Sequence, residues 1–390
     1  MDPNFDIICI STQEWDDLWT RKQRFFQHLA RQGHRVLYVE RQLHLLGYVN
    51  YFKSQWRRIY RWLQPPRQIE PNLFLVSPPL LLPFFLMYPA INRLNARILR
   101  PFIRRQMRRL GVENPVLWIY PLNSFELAGA FGERLRVYDC VDEWSAFKGL
   151  LRPDVMRNYE QALIRASDVV LVTRPELLAE REPLARRVHW VPNAAEIEHF
   201  AATLRPETDI PADIAALPQP VIGFVGSVQY WLDFDLLQFL AESRPGWSFV
   251  FVGPVGHRAA VESLSALPNV HLLGRRPYAQ LPGYIKAFRA CLNPFKTDSL
   301  GTATDPLKLY EYLATGKPVV SVDIPAARRF APVVRIGSTA ADFLAELDDI
   351  VANGHPRQAE QLALAQQHTW QARFAQVEEI LREALDENRN

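Results

Sequence analysis

Lys308 and Glu311 stand three residues apart in TATDPLKLYEYLATGKPVVS, residues 302–321. On a helix that spacing puts both side chains on one face. Asp305 has the chemistry of an N-cap, because its carboxylate can accept the free N–H groups of a first turn. Pro306 suits the first helical position. The pattern predicts a helix to about Ala314, closed by Gly316 as a left-handed cap and followed by a buried strand, PVVSV. Leu307, Tyr310 and Leu313 or Ala314 recur at helical spacing and are expected in the core. A lysine in the first turn is opposed by the helix dipole unless an anion sits there. Phosphate is such an anion. A carboxylate one turn deeper can accept two hydrogen bonds from the vicinal diol of a ribose. These residue types therefore suit a nucleoside diphosphate, with phosphates on the helix start and Lys308 and the ribose on Glu311. A surface salt bridge between the two is the plain alternative.

The elements that must position this helix are legible on both sides of it. FDIICIS (5–11), RVLYVE (35–40), LFLVS (73–77), VLWIYP (116–121), RVYDCVD (136–142), DVVLVT (168–173) and VHWVP (188–192) read as strands. Helical patterns lie between several of them, notably 19–32, 92–110 and 153–166. A polar, proline-bearing stretch spans 205–220. The alternation then restarts with VIGFVGS (221–227), SFVFVGP (248–254), VHLLGR (270–275), ACLNPF (290–295), PVVSV (318–322) and VVRIG (333–337). Short apolar strands alternating with helices predict α/β architecture with parallel, doubly wound sheets. Two such series predict two domains, 1–204 and 205–368. A last helix, about 369–387, has no strand to feed and is expected to pack back on the first domain as a 369–390 segment. Ligands in such sheets bind beyond the carboxyl ends of the strands.

Composition narrows the class. The 390 residues are 48% hydrophobic, enough for two cores. Cys9, Cys140 and Cys291 each lie in an apolar, strand-like run, which predicts buried free thiols and a reducing compartment. The start, MDPNFD, is acidic and lacks an apolar run, so no signal peptide is expected. The stretch 73–91 is apolar but holds four prolines and makes a poor transmembrane helix. Between Arg41 and Gly111 there are thirteen Arg or Lys and one acid, Glu70. That segment carries +12 against a chain total of +3, leaving −9 for the rest. Aromatic residues interleave with the basic ones, as in Trp56, Arg57, Arg58, Arg61 and Trp62. Basic residues with amphipathic aromatics suit an anionic membrane surface. A solvated basic face or a nucleic-acid surface are the alternatives, and the membrane is preferred.

Four stretches together carry a resemblance: FVGSVQYWLDFDLL, LPNVHLLGRRPYAQLPGYI, LNPFKTDSLGTATDPLKLYEYLATGKPVV and VPNAAEIEHF. They resemble the GT-B glycosyltransferases, above all bacterial enzymes of exopolysaccharide and teichuronic acid assembly. VYDCVDEWSAF is similar to the region of xanthan glucuronosyltransferase that holds its catalytic aspartate. The resemblance implies two Rossmann-like domains facing across a cleft. It implies transfer of a sugar from a nucleotide-diphosphate sugar, a UDP-sugar, to a lipid-linked or polysaccharide acceptor. Taken with the cysteines and the basic segment, the enzyme is expected in the cytoplasm, held peripherally at the inner face of the cell membrane. Asp142 takes the general-base role, Lys308 the diphosphate and Glu311 the ribose. Thr304, Asp305, Gly226, Ser227, Arg275 and Arg276 complete the expected donor site.

Two departures from the family pattern favour one displacement with inversion. Retaining members place a second glutamate eight positions before the ribose glutamate, where this chain has Ala303. They also use an arginine and a lysine after the first strand of the second domain, where this chain reads GSVQYWLDFD. Lys308, with Arg275 or Arg276, is left to carry the phosphate charge. Asp16, Asp17 and Asp139 are rival bases. Asp233 and Asp235 resemble a metal-binding Asp-x-Asp, but acids are favoured at a helix start in any case, so no metal or cofactor is expected. A nucleotide-dependent oxidoreductase is the competing class. It is disfavoured because GFVGSV lacks the third glycine of the dinucleotide fingerprint.

Overall fold

The computed structural model describes residues 5–44, 60–141, 152–256, 258–298 and 304–388. The chain divides into two compact units, Met1–Pro192 with Phe374–Asn390, and Asn193–Arg373. The division falls at Pro192/Asn193, ahead of the proline-bearing stretch at 205–220. The reason lies in the short helix Ile197–Ala201, whose Ile197 and Phe200 are buried in the core of the second unit.

The first unit holds β1 (Ile7–Ile10), β2 (Val36–Val39), β3 (Arg67–Glu70), β4 (Leu73–Val76), β5 (Val116–Ile119), β6 (Leu135–Cys140), β7 (Val169–Val172) and β8 (Val188–Trp190). They form one sheet in the order β3-β4-β2-β1-β5-β6-β7-β8. β1, β2, β5 and β7 are buried at every position, as expected of parallel strands covered on both faces. β3 is the strand that apolar patterning does not reveal. Its sequence is RQIE, it pairs antiparallel with β4 alone, and it edges the sheet. Charged side chains on an edge strand discourage pairing with another chain, and they also hide the strand from an apolar pattern.

The second unit holds β9 (Val221–Val225), β10 (Ser248–Val252), β11 (Val270–Gly274), β12 (Ala290–Asn293), β13 (Val319–Val322) and β14 (Val334–Gly337). Their order is β11-β10-β9-β12-β13-β14, and every pairing is parallel. The order runs one way from β9 through β10 and β11 and the other way from β12 through β14. The boundary between β9 and β12 is the topological switch point. Helices Phe234–Ser243, Leu281–Ala287, Leu307–Thr315 and Ala340–Asn353 cover the two faces and close the core.

The last helix, Trp370–Glu387, returns to the first unit from Phe374 onward. Phe374 stacks on His28 at 4.0 Å, and His28 Nε2 lies 2.8 Å from Glu378 Oε1. Cys9, Cys140 and Cys291 are buried and stand outside any disulfide among the described residues. Among the described residues no helix is long and apolar enough to cross a membrane.

Candidate functional site in the second unit

The switch point leaves a gap in the hydrogen-bond ladder. β10 follows β9 as far as the Val252–Val225 pair, but β12 pairs with β9 only at Ile222 and Gly223. The far end of β9 therefore has no strand on its β12 side. The Tyr312 hydroxyl fills the place and accepts the Val225 N–H at 2.7 Å. Tyr312 is fully buried and belongs to the Leu307–Thr315 helix. One hydroxyl thus ties that helix to the residue before Gly226. Open α/β sheets bind ligands beyond the carboxyl ends of the strands at such a point.

Gly226 and Ser227 continue directly from β9. A Cβ at Gly226 would lie 2.8 Å from the Phe224 ring and 3.4 Å from Lys308 Cε. The missing side chain lets the Lys308 stem pass against the loop. Lys308 Nζ donates to Glu311 Oε2 at 2.5 Å, and both side chains are largely shielded from water. The structure thus brings together Gly226, Lys308 and Glu311. It also realises the ion pair that is the plain alternative for these two residues, so the pair by itself does not decide between them. The helix decides more. It has no side-chain cap and no acid in its first turn. The Leu309 N–H bonds back to the Pro306 carbonyl at 3.1 Å, which leaves the Leu307 and Lys308 N–H groups ahead of the first such bond, and the one first-turn charge is a lysine. An anion placed there would meet main-chain donors, the positive end of the dipole and an ammonium together.

The helix start corrects the sequence reading. Pro306 is the N-cap, with extended backbone at φ −64° and ψ 117°, and the helix runs from Leu307 to Thr315. Gly316 closes it at φ 65°, as expected. Leu307 is half-buried, and Leu309 joins Tyr310, Leu313 and Ala314 in the core. Asp305 does not cap. Its carboxylate turns inward, where it accepts from the Tyr310 hydroxyl at 3.0 Å, from the Arg329 guanidinium and from the Asn193 N–H at 3.1 Å. A buried carboxylate needs such partners, and a guanidinium outbids main-chain N–H groups. Asn193 Nδ2 donates in turn to the Asp305 carbonyl at 2.8 Å. Asn193 Oδ1 is buried with no hydrogen-bond partner among the described residues, which leaves an acceptor beside Asp305. His368 sits behind this cluster, its ring against Tyr310 and Phe330. Burial, with Arg373 and Arg329 nearby, lowers its pKa to about 4. Asn193 and Arg329 went unseen in the sequence because their partner is more than twenty residues away. VPN after β8 is the one local signal that could have pointed to Asn193.

Thr304 is half-buried, one residue before Asp305. Arg275 is exposed just past β11, the outermost strand. Arg276 donates to Asp213 at 2.8 Å and to the Tyr284 hydroxyl at 2.8 Å. Donating to the Asp213 carboxylate raises its pKa further. Arg276 is therefore engaged at the edge of the sheet, two strands from β9, and is not brought to Lys308. Asp233 is the N-cap of Phe234–Ser243 and accepts the Leu236 N–H at 3.0 Å, while Asp235 lies in that helix's first turn. Both acids thus occupy positions that helix capping explains.

In the first unit the rival bases separate. Asp139 is buried at the end of β6 and paired with Arg21, whose Nε lies 3.2 Å from Oδ2 and whose Nη2 lies 3.1 Å from Oδ1. Arg21 also donates to the Val191 carbonyl at 2.8 Å. A carboxylate so placed braces helix against strand. Asp16 and Asp17 are exposed in the loop after β1, and Asp16 pairs with Arg67 at 3.1 Å. Asp142 lies outside the described residues, two positions past the end of β6. Trp56, Arg57, Arg58 and Ala303 lie outside them as well. Arg61 is exposed, and Trp62 is half-buried in the short helix Arg61–Leu63.

Residues 219–354, which contain β9 to β14 and the Leu307–Thr315 helix, match the family described as Glycosyl transferases group 1. That segment is similar to a group 1 glycosyltransferase domain. The chain is 28% identical over 267 residues to TuaH of Bacillus subtilis (strain 168), a protein named for teichuronic acid biosynthesis as a glycosyltransferase. That match covers 62% of this chain and 65% of TuaH, so it spans a little under two thirds of the relative. Sucrose-phosphate synthase from Thermosynechococcus elongatus superposes with a TM-score of 0.71 at 14% identity, over 97% of this chain and 98% of that one. Anabaena HepE, described in complex with UDP and glucose, superposes with a TM-score of 0.68 at 13% identity, over 97% of this chain and 100% of that one. These likenesses show the fold: two parallel-sheet α/β domains of the GT-B class.

Proposed function

We propose that this protein is a glycosyltransferase that moves a sugar from a nucleotide-diphosphate sugar, a UDP-sugar, to a lipid-linked or polysaccharide acceptor with inversion. One observation carries the reading. Within the segment similar to a group 1 glycosyltransferase domain, an uncapped helix start presents Lys308 beside Gly226 and carries Glu311 one turn deeper. The diphosphate would take the helix N–H groups and Lys308, drawing the lysine from Glu311 and freeing that carboxylate for the ribose hydroxyls. The UDP described with HepE supports the choice of nucleotide, and the name of TuaH supports an envelope-polysaccharide acceptor.

Chemistry follows from charge. The acceptor hydroxyl gives its proton to the Asp142 carboxylate as its oxygen attacks the anomeric carbon. The bond from that carbon to the diphosphate breaks, and nucleoside diphosphate leaves with the electron pair. Lys308 and the helix start stabilise the charge that develops on the leaving oxygen. Main-chain dipoles and an ammonium can do this without a divalent ion.

A thermal-shift screen tests the reading. A ligand at one hundred times its Kd stabilises a protein by about 2.7 kcal/mol. UDP at that level is expected to raise Tm by roughly 5 °C for domains of this size, while NAD leaves it unchanged. Stabilisation by NAD and none by UDP or GDP would replace the transferase with the oxidoreductase class.

A further inference from the structure

The helix Pro89–Leu110 is 22 residues long, about 33 Å at 1.5 Å per residue. It carries Arg93, Arg97, Arg100, Arg104, Arg105, Arg108 and Arg109 and no acid. Its inner face buries Asn92, Asn95, Ala96, Leu99, Ile103, Gln106 and Met107. Its outer face is organised. At 3.6 residues per turn, Arg93, Arg97, Arg104 and Arg108 fall within a sector of roughly 60°. Leu94 and Ile98 lie beside that sector, and both are exposed. Two exposed aromatics, Phe84 and Tyr88, lead into the helix. Arg104 reaches back to the Ala130 carbonyl, but Arg93, Arg97, Arg105 and Arg108 make no hydrogen bond or ion pair with any described residue.

Seven like charges on one helix repel each other, and nothing within the helix offsets them. Such a face gains from an extended anionic partner. Nucleic acid would satisfy the arginines but offer little to Leu94, Ile98, Phe84 and Tyr88. A bilayer accepts both, with charge at the headgroups and apolar side chains just below them. We infer that the outer face of Pro89–Leu110 is a docking surface for an anionic lipid bilayer, with the helix lying in the plane of the interface. This places the membrane contact on a helix separate from Trp56, Arg57, Arg58, Arg61 and Trp62. It stands independently of the sugar-transfer reading.

The test is flotation with vesicles of phosphatidylcholine alone or with about a third phosphatidylglycerol. The variant replaces Arg93, Arg97, Arg105 and Arg108 with Gln, four side chains that make no hydrogen bond or ion pair with any described residue. Each basic side chain near an anionic surface contributes roughly fivefold to partitioning. The quadruple variant is expected to lose at least about tenfold in binding to the anionic vesicles while keeping the wild-type Tm and the wild-type response to UDP. Wild-type binding is expected to weaken as salt rises, because exposed charges are screened over ~10 Å at 0.1 M. Leu94→Ser with Ile98→Ser is expected to weaken binding without changing its salt dependence. Equal flotation of wild type and the quadruple variant overturns the inference. So does equal binding to neutral and anionic vesicles, or binding to duplex DNA in preference to either vesicle. Because UDP binding is read separately, failure to bind UDP counts against the proposed function alone.

Discussion

Tyr312 and Val225 are 87 positions apart, yet the Tyr312 hydroxyl accepts the Val225 N–H at 2.7 Å where a neighbouring strand would otherwise stand. The contact fixes the Leu307–Thr315 helix against the end of β9 and so sets the distance between Lys308 and Gly226. Tyr312→Phe keeps the ring and removes the acceptor. A buried donor left unsatisfied costs roughly 1–3 kcal/mol. The variant is therefore expected to lose about that much stability in urea unfolding, and to bind UDP more weakly. Unchanged stability together with unchanged UDP affinity would show that the hydroxyl does not position the site.

Most of the fold was legible because buried parallel strands are nearly pure apolar runs. IICI, VLYV, VLWI and VVLV can hardly be anything else. β3 was illegible for the opposite reason, since RQIE obeys the demands of a sheet edge. Lys308 and Glu311 could be found because both lie on one helix, where spacing is geometry. Asp305 was misread because two competitors for its carboxylate, Asn193 and Arg329, arrive from elsewhere in the chain. Tyr312 carries no sequence signal for its task, which only the broken β9–β12 ladder reveals.

Lys308 and Glu311 are expected to separate by ligand. Lys308→Ala should weaken nucleoside diphosphate binding far more than nucleoside binding, since the ammonium faces phosphate. Glu311→Ala should weaken both through the ribose. The variants also break the 2.5 Å pair between them, so Tm is measured alongside affinity. Calorimetry that gives wild-type diphosphate affinity for the lysine variant would remove Lys308 from the donor site.

His368 predicts a pH dependence for the second unit. Burial, with Arg373 and Arg329 beside it, holds the folded pKa near 4 against 6.5 for an ordinary histidine. Its Nδ1 accepts from Arg373 at 2.9 Å, which requires the neutral ring. Between those two values the unfolded chain binds a proton that the folded chain refuses. Stability therefore rises with pH across that window and levels off above it. His368→Gln is expected to flatten the rise between pH 4 and 6.5 relative to wild type in denaturant titrations. Parallel curves for the two proteins across that range would exclude His368 as the source.

Asp139 and Asp142 make opposite predictions, and the contrast tests the proposed chemistry. Asp139 forms a buried pair with Arg21, and losing one member of such a pair costs roughly 3–5 kcal/mol. Asp139→Asn is thus expected to lower Tm sharply. Asp142→Asn keeps the size of the side chain but removes the group that takes the proton. A positioned base contributes roughly 10²–10⁴-fold, so kcat should fall by about that factor. UDP binding and Tm should stay near wild type, because the donor residues belong to the second unit. NMR of the wild-type product should show the anomeric configuration inverted relative to the donor, as a single displacement requires. Near-wild-type turnover in Asp142→Asn would move the base to Asp16 or Asp17, the exposed carboxylates after β1. A product that keeps the donor configuration would show instead that retention proceeds with alanine at position 303, and no general base would then be needed at Asp142.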